Sequence, residues 1–400
     1  MNTSEPAGRR RWNHRRATSA LLASAVLAIT SCGDNPDDGS TSGQPTRAAD
    51  PVSAWQVYYD LTHPDFDRVG EPAGSDPVSA WQVYYDLTHP DTASAGSSRP
   101  AITPVATLLV GGLASGSGST VGPGRDLYVT EGATGRVLRV DPKTGDVTTF
   151  ASGLPPSIVG IGGAMDIAFI GATAYVLVTL VGADVGGSGV VGIYRVDSRD
   201  SFTVIADIGA FAIDNPPDTD FSIPTGVQYA MEKYRGGFLV TDGHHNRVLR
   251  VTLDGAISEL IPFENIVPTG LETIGNTVLM AEAGPVPHLP ADGKIVSFTA
   301  KSSNPSEVAS GAPLLVDVER GRGRSIYGLS QGDFREGDPE GSPAQPNTGS
   351  LVKVTRDGTF RLVVDELNQP TSLEFINRTA YVVTLGGEIW KIEDVEGPRH

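Results

Sequence analysis

The sequence has little cysteine, an excess of acidic over basic residues and only one long apolar run, and each shortage limits what the protein can be. Cys32 is the only cysteine among 400 residues, so the chain can form no internal disulfide. Lys and Arg number 30 against 47 Asp and Glu, and the net charge of −17 makes the chain a poor candidate for binding nucleic acid. The apolar run is about fifteen residues long, shorter than the roughly 20 that a membrane-spanning helix needs.

Glycine and proline are abundant instead. The chain has 48 glycines and 29 prolines, which predict many turns and favour β structure over long helices. Apolar residues make up 39% of the sequence, enough to build a core. Length alone does not fix the number of domains, because β barrels and related folds often run long as single units.

Residues 1–31 have the pattern of an export signal. The basic stretch RRRWNHRR at 9–16 leads into an uncharged apolar run, as in the n-region and h-region of a signal peptide. The sequence Ile29-Thr30-Ser31-Cys32 resembles a bacterial lipobox, in which the cysteine becomes lipid-modified and N-terminal. The alternatives are a plain signal peptide with an incidental cysteine, or a membrane-spanning helix.

Cleavage and lipidation predict where the mature protein is found. Two or more acyl chains hold a protein stably to a bilayer, whereas one chain anchors it only marginally. We therefore expect a monomer, lipid-anchored through Cys32 at the extracytoplasmic side of the cell membrane. Without residues 1–31, which carry five arginines and one glutamate, its net charge would be −17 − 4 = −21.

Residues 32–103 are predicted to form a disordered acidic tether. They are rich in Ser, Gly, Pro, Asp and Thr, and such segments bury too little apolar surface to fold. Within them DPVSAWQVYYDLTHPD occurs twice without change, at 50–65 and 76–91. The two copies are either aromatic docking motifs on a flexible linker, with a gain in avidity, or a recent duplication without a role.

Residues 104–396 contain six diverged repeats, followed by a tail at 397–400. Each repeat has a β-rich segment followed by a strand of the type apolar-x-basic-apolar. The six strands are VLRV at 137–140, IYRV at 193–196, VLRV at 248–251, IVSF at 295–298, LVKV at 351–354 and IWKI at 389–392. In IVSF, Ser297 replaces the basic residue. Asp254-Gly255 and Asp357-Gly358 lie between apolar alternations, which is typical of two-residue hairpin turns. Each repeat thus predicts a four-stranded antiparallel meander.

Six meanders predict an all-β fold, a six-bladed β-propeller. The last repeat stops after three strands, and the array begins with an unassigned apolar run, VATLLVGGL at 105–113. We expect this N-terminal strand to complete the last blade and close the ring. Three long loops, which begin near residues 182, 284 and 331, are expected on one face of the ring, where binding residues usually lie.

The order of these segments resembles the ScyD/ScyE family of exported bacterial propellers. The resemblance covers roughly residues 104–395 and is carried by LYVTEGATGRVLRVDPKTGDVTTFASGLP, ADIGAFAIDNPPDTDFSIPTGV and FLVTDGHHNRVLRVTLDGAISEL. The stretch TDGHHNRVLRV is also similar to the NHL repeat. The resemblance implies a fold and an extracytoplasmic location, with no established reaction.

An enzymatic alternative rests on carboxylates. Propeller lactonases hold a divalent cation at the central channel, and Glu131, Asp242 and Glu282 end equivalent second strands, so they are weak candidates for binding Ca²⁺ or Mg²⁺. Residues on the first strands that could join them at a ligand face are Asp166, Glu272 and Glu374. However, the Glu-Gly-Pro motif of those lactonases is missing, and acids at strand ends commonly accept hydrogen bonds from turn N–H groups.

His244 and His245 are the only adjacent histidines and could belong to the ligand face, although no His-x-His spacing supports a transition-metal site. The acids of the 331–350 loop, Asp333, Glu336, Asp338 and Glu340, either bind Ca²⁺ weakly or are simply solvated. No catalytic nucleophile motif is present. The sequence therefore favours a membrane-tethered binding or scaffold module for an unidentified small molecule or protein partner, with a metal-dependent hydrolase of the lactonase type as the alternative.

Overall fold

The computed structural model describes residues 104–302 and 304–395, which form a ring of six four-stranded antiparallel sheets. Within each sheet, consecutive strands are hydrogen-bonded neighbours. The prediction of an all-β, six-bladed β-propeller is therefore confirmed. The predicted signal peptide with Cys32, the predicted tether with its duplicated segment, and the tail at 397–400 lie outside the described residues.

The blades are numbered in chain order, and the first strand of each lies innermost. Blade 1 consists of β2 (Ser119–Val121), β3 (Leu127–Glu131), β4 (Arg136–Val140) and β5 (Val147–Ser152). Blade 2 consists of β6 (Gly163–Ile170), β7 (Thr173–Thr179), β8 (Gly192–Ser198) and β9 (Ser201–Asp207). Blade 3 consists of β10 (Gln228–Tyr234), β11 (Gly237–Asp242), β12 (Arg247–Thr252) and β13 (Ile257–Pro262).

Blades 4 to 6 repeat this order. Blade 4 consists of β14 (Pro268–Ile274), β15 (Thr277–Glu282), β16 (Lys294–Thr299) and β17 (Ser306–Ser310). Blade 5 consists of β18 (Leu315–Arg320), β19 (Ile326–Ser330), β20 (Gly349–Val354) and β21 (Phe360–Leu367). Blade 6 consists of β22 (Pro370–Ile376), β23 (Thr379–Thr384), β24 (Ile389–Ile392) and, as its outer strand, β1 (Ala106–Val110).

Among residues 104–302 and 304–395, helical structure is confined to short connections. The helix α1 (Ile208–Asp214) joins blades 2 and 3, and the Asp207 side chain caps it by accepting a hydrogen bond from the Ala210 N–H at 2.8 Å. The 3-10 turns are Pro123–Arg125, Gly132–Thr134, Ala183–Val185 and Arg322–Arg324. No helix in the described part of the chain is long and apolar enough to cross a bilayer.

The second strands are the most buried elements, and their sequences show why. Every residue of β3 and β11 is buried, because each strand has a neighbour on both sides and packed blades over both faces. A strand covered on both faces needs apolar residues on both sides, so its sequence is a nearly continuous apolar run, as in LYV of LYVTE and FLV of GFLVTD. The fourth strands lie at the rim, and β9 accordingly has mostly exposed or partly buried residues, with only Ala206 buried.

The ring is closed by β1, as predicted from the incomplete last repeat. It pairs with β24 in antiparallel register, with Ala106 opposite Ile392 and Leu108 opposite Trp390. Residues from β1 and the two flanking blades form one apolar cluster, which includes Val110, Leu127, Val140, Ile376 and Ile389. The first and last strands of the propeller therefore belong to the same sheet.

The two Asp-Gly hairpins are longer than the predicted two-residue turns. β12 ends at Thr252 and β13 begins at Ile257, with the Thr252 N–H donating to the Ala256 carbonyl at 2.9 Å. Gly255 has a φ of 89°, which glycine adopts without strain. The Thr252 hydroxyl bonds both the Asp254 carboxylate and the Ala256 carbonyl, and these local bonds favour the wider turn.

Candidate functional site

The first strands bring two levels of equivalent side chains to the central channel. Alternate residues of a strand point to the same side, and the pairing of first with second strands sets a common register for all six blades. The upper level, nearer the long loops, consists of Gly118, Asp166, Ala230, Gly270, Asp317 and Ser372. The lower level, two residues further along, consists of Thr120, Ala168, Glu232, Glu272, Glu319 and Glu374.

Asp166 and Asp317 connect neighbouring blades at the upper level. One carboxylate oxygen of Asp166 accepts the Ile167 N–H at 2.8 Å, and the other accepts the Met231 N–H of the next blade at 2.7 Å. Asp317, in the opposite blade, makes the two equivalent bonds at 2.8 and 2.7 Å. In both aspartates each carboxylate oxygen thus accepts a hydrogen bond from a backbone N–H group, and one of the two bonds links neighbouring blades.

Glycines make room for these two aspartates. A Cβ atom on Gly118 would lie 2.3 Å from Asp166 Oδ1, and one on Gly270 would lie 2.4 Å from Asp317 Oδ1. Such contacts are too short for any side chain. Each aspartate therefore packs against the preceding blade and bonds to the following one, so blades 1 to 3 and blades 4 to 6 share the same arrangement.

The lower level is a ring of four glutamates in four consecutive blades, Glu232, Glu272, Glu319 and Glu374, around a lumen of about 40 Å³. Burial raises the pKa of all four, and repulsion from nearby carboxylates raises it further for Glu272, Glu319 and Glu374. The pKa of Glu272 reaches about 7. Burial likewise raises the pKa of Asp317 to about 7 and that of Asp166 well above its usual range.

Glu131, Asp242 and Glu282 do occupy equivalent ends of second strands, and each stands opposite a basic residue at the start of the third strand. The register pairs Glu131 with Arg136, Asp242 with Arg247, and Glu282 with Lys294. Arg136 forms an ion pair with Glu131, and Arg247 Nε donates to Asp242 at 3.2 Å. Burial raises the pKa of Glu282 to about 7, which the nearby Lys294 partly offsets.

The basic residues opposite these three carboxylates, Arg136, Arg247 and Lys294, disfavour the binding of a metal cation there. A metal ion would compete with a guanidinium already bonded to Glu131 and to the fully buried Asp242. No group of three or more His, Cys, Asp or Glu side chains among residues 104–302 and 304–395 is placed to hold a metal ion. Ca²⁺ or Mg²⁺ binding through Glu131, Asp242 and Glu282 stays a prediction that the arrangement does not support.

His244 and His245 stabilise the connection between blades 2 and 3. His244 Nε2 accepts the Ser222 and Ile223 N–H groups at 2.8 and 3.1 Å, and its Nδ1 lies 3.7 Å from Glu340. His245 is buried, with Nε2 3.0 Å from the Ile223 carbonyl oxygen and Nδ1 3.2 Å from Asp242. Of the two, only His244 lies against a cavity.

That cavity, called here the mouth cavity, has a volume of about 560 Å³ and opens at the long-loop face of the channel. Residues of two long loops line it, at 286–288 and 331–343, as does the connection that follows α1. Its volume falls within the range of pockets that hold small organic ligands. Two of the three long loops predicted to share one face therefore line this cavity, whereas the loop that begins near residue 182 contributes no residue to its lining.

Tyr229 lies between the mouth cavity and the ring of glutamates. Its hydroxyl crosses the channel from blade 3 and donates to the Thr371 carbonyl of the opposite blade at 3.1 Å. Both residues line the mouth cavity above and the carboxylate-lined lumen below. Burial raises the pKa of Tyr229 well above its usual range, so the hydroxyl keeps its proton and this bond.

His288 is a buried polar side chain in the wall of the mouth cavity. Its Nδ1 lies 2.7 Å from the Gly284 carbonyl oxygen, and since a carbonyl only accepts, Nδ1 carries the proton. The ring packs edge-on against Phe334 with centroids 5.2 Å apart. Burial lowers the pKa of His288, which favours a neutral imidazole whose other nitrogen is a hydrogen-bond acceptor.

The acidic 331–350 loop folds back on itself and contributes two of its four acids to the cavity. Asp338 and Glu340 line the mouth cavity, whereas Asp333 is buried and Glu336 is exposed. The Gln345 N–H donates to the Asp333 carbonyl at 2.8 Å, and Gln331 Oε1 accepts the Ala344 N–H at 3.0 Å. These bonds give the loop a defined path over the channel.

A second depression, of about 780 Å³, lies on the opposite face between the short turns that join first and second strands in blades 1 to 3. Although larger, it is shallower and more open. Its lining includes Lys233 and Arg235 but none of the long loops. The mouth cavity is the better candidate because it is less open and lies over the channel.

Comparisons with known proteins show the fold and leave the family open. No protein-family model matches the chain, and no curated protein matches its sequence. Among solved structures, a gluconolactonase from Xanthomonas campestris is similar over 83% of this chain and 100% of its own, with 13% identity and a TM-score of 0.52. Virginiamycin B lyase from Staphylococcus aureus covers 72% of this chain and 98% of its own, with 14% identity and a TM-score of 0.45. At these identities the chain is similar to a range of propeller proteins, including enzymes, and what is shown is the six-bladed propeller fold.

Proposed function

We propose that this protein is a binding module, in which the mouth cavity of the propeller takes up a ligand. The observation that carries the proposal is the cavity itself. It is enclosed by long loops at the long-loop face and bounded below by the bond from Tyr229 to Thr371. Rigid blades carrying long loops over a concave site are a common architecture for recognition.

A substitution that fills the mouth cavity tests this proposal. Ala133 is exposed and lines the cavity, so Ala133→Trp places a large side chain in it without disturbing the apolar core. We expect ligands found by thermal-shift screening of the full chain to bind Ala133→Trp at least tenfold more weakly, a loss of about 1.4 kcal/mol.

Ala172→Trp is the matched control, because Ala172 is an exposed alanine in a turn on the opposite face. It should leave the affinity unchanged. Equal binding by wild type and Ala133→Trp, or a loss confined to Ala172→Trp, would show that the ligand site lies elsewhere.

The proposal extends to a membrane-tethered location outside the cytoplasm, and the ScyD/ScyE family that the sequence resembles is a family of exported propellers. Its support is the sequence alone, a basic and apolar leader that ends in the lipobox-like Ile29-Thr30-Ser31-Cys32. Cys32→Ala is expected to move the protein from the membrane to the soluble fraction and to abolish an acyl mass increment on its N-terminal peptide. Retention in the membrane with no acylated peptide in the wild type would contradict the anchor.

The alternative of a metal-dependent lactonase-type hydrolase has weaker support. Such a site needs several oxygen donors free to converge on one cation. Here Glu131 and Asp242 are bonded to arginines, and both oxygens of Asp166 and of Asp317 accept backbone N–H groups. The shared fold of the gluconolactonase does not carry its activity over, because the same fold hosts many functions.

A further inference from the structure

The mouth cavity has an unusual balance of charge for a site of its size. No lysine or arginine occurs among its lining residues, all of which belong to the described part of the chain. Three carboxylates lie at the cavity, Asp220, Asp338 and Glu340. Below Tyr229, the channel holds six more acidic side chains and no basic one. Because burial raises the pKa of those channel acids, the negative charge of the mouth cavity comes mainly from Asp220, Asp338 and Glu340.

The walls of the cavity are largely apolar. Leu180, Val267, Leu314 and Val316 line it, and each comes from a strand end or a connection between blades. Among the lining residues, Val286 is 43% exposed, which is high for a large apolar side chain. A ligand with an apolar body would remove this surface from water, at about 25 cal/mol for each Å² buried.

Two polar groups of the cavity, the imidazole of His288 and the carboxylate of Asp338, are hydrogen-bond acceptors. His288 has its proton on Nδ1, so Nε2 can only accept a hydrogen bond while the ring is neutral. Burial raises the pKa of Asp338, and the nearby positive charge of Arg335 offsets this rise only in part. An N–H donor with a positive charge complements both groups, whereas an anion would be repelled by the carboxylates and would find no lysine or arginine among the lining residues.

Building on the proposed binding function, we propose that the ligand of the mouth cavity is an organic cation, an ammonium or guanidinium group on an apolar body. The apolar part packs against the Leu180, Val267 and Leu314 wall. The charged part points to Asp338 and Glu340, with His288 as a further acceptor. An anionic ligand of the same shape is excluded because the cavity offers no positive charge to balance it.

Three probes with one apolar body and different charges test the inference. 4-Phenylbutylamine, which is an ammonium ion at pH 7, 4-phenylbutanol and 4-phenylbutyrate are titrated calorimetrically into the full chain carrying Cys32→Ala. We expect the amine to bind at least tenfold more tightly than the alcohol and the carboxylate not to bind. The preference should fall as ionic strength rises, because the rim is partly exposed.

A double variant identifies the carboxylates responsible. Asp338→Asn with Glu340→Gln keeps the side-chain shapes, removes two charges and is expected to reduce the amine's advantage over the alcohol to less than threefold. Asp365→Asn with Glu366→Gln removes two exposed charges from the outer strand β21 and should leave that advantage intact.

The outcomes separate this inference from the proposed function. If the alcohol binds as tightly as the amine, and Ala133→Trp blocks both, the cavity is a ligand site and the cation inference is wrong. If the amine binds but Ala133→Trp does not weaken it, the proposed site is wrong. No detectable binding of the amine by the wild type also overturns the cation inference.

Discussion

Removing β1 is expected to destroy most of the stability of the propeller. A chain that begins at residue 114 lacks the outer strand of blade 6, so the edge of β24 loses its pairing partner and the apolar cluster between blades 6 and 1 loses Val110. Burying a Val or Leu side chain contributes roughly 1.5–3 kcal/mol, and Leu109 and Leu113 pack on the same cluster. The expected loss of about 5 kcal/mol or more approaches the whole stability of many proteins.

Trp390 provides a local measurement of this effect. It is the only tryptophan from residue 104 onward, and it lies in β24 opposite Leu108 of β1. Urea unfolding followed by Trp390 fluorescence should show a large fall in midpoint for the chain that starts at 114, or no folded baseline. Addition of a synthetic peptide of residues 104–113 should restore the native signal.

The control for this truncation is a chain that begins at residue 104 and retains β1. Its unfolding midpoint should equal that of the full chain carrying Cys32→Ala. A chain starting at 114 that unfolds at the same urea concentration would show that the ring does not depend on closure by its N-terminal strand.

The second large effect is a fall in stability as the pH rises from about 5 to 8. Burial raises the pKa of the glutamates in the channel, so between pH 4.5 and about 7 the folded state keeps protons that the unfolded state has released. Stability therefore decreases with pH over this window. Glu272, with its pKa raised from 4.5 to about 7, accounts for a loss of about 3 kcal/mol by itself, at roughly 1.4 kcal/mol for each pKa unit.

Glutamine substitutions assign the pH dependence to the channel. Glu319→Gln and Glu374→Gln replace a buried titrating group by a neutral one of nearly equal shape, and each should raise the urea midpoint at pH 8 more than at pH 5. Glu264→Gln removes the same charge from an exposed connection and is the matched control. Equal stability at pH 5 and pH 8 in the wild type, or an equal effect of all three variants, would contradict this assignment.

The fold was predictable from the sequence because its determinants are local and repeated. The VLRV-type strands, the buried second strands and the incomplete last repeat each correspond to an element of the structure, including the closure by β1. The predicted length of the Asp-Gly turns, two residues, was wrong, because the turn depends on hydrogen bonds from the Thr252 hydroxyl that apolar alternation in the sequence does not show.

The candidate site was only partly predictable. Asp166, Glu272 and Glu374 were recognised as acids on first strands, but their companions Glu232, Asp317 and Glu319 were not. An alignment of the first strands by register would have revealed the four equivalent glutamates. Tyr229 and His288 carry no such signal, since their positions depend on a contact across the channel and on the path of the 284–293 loop.

Photolabelling with a diazirine probe that carries an ammonium group tests the central claim most directly. The probe is activated on the full chain, and its attachment sites are mapped by mass spectrometry. If the mouth cavity is the binding site, labels will concentrate in residues 220–229, 284–293 and 331–343 and will be lost in Ala133→Trp. Labels concentrated instead at 169–172 and 233–237, on the opposite face, would contradict the account.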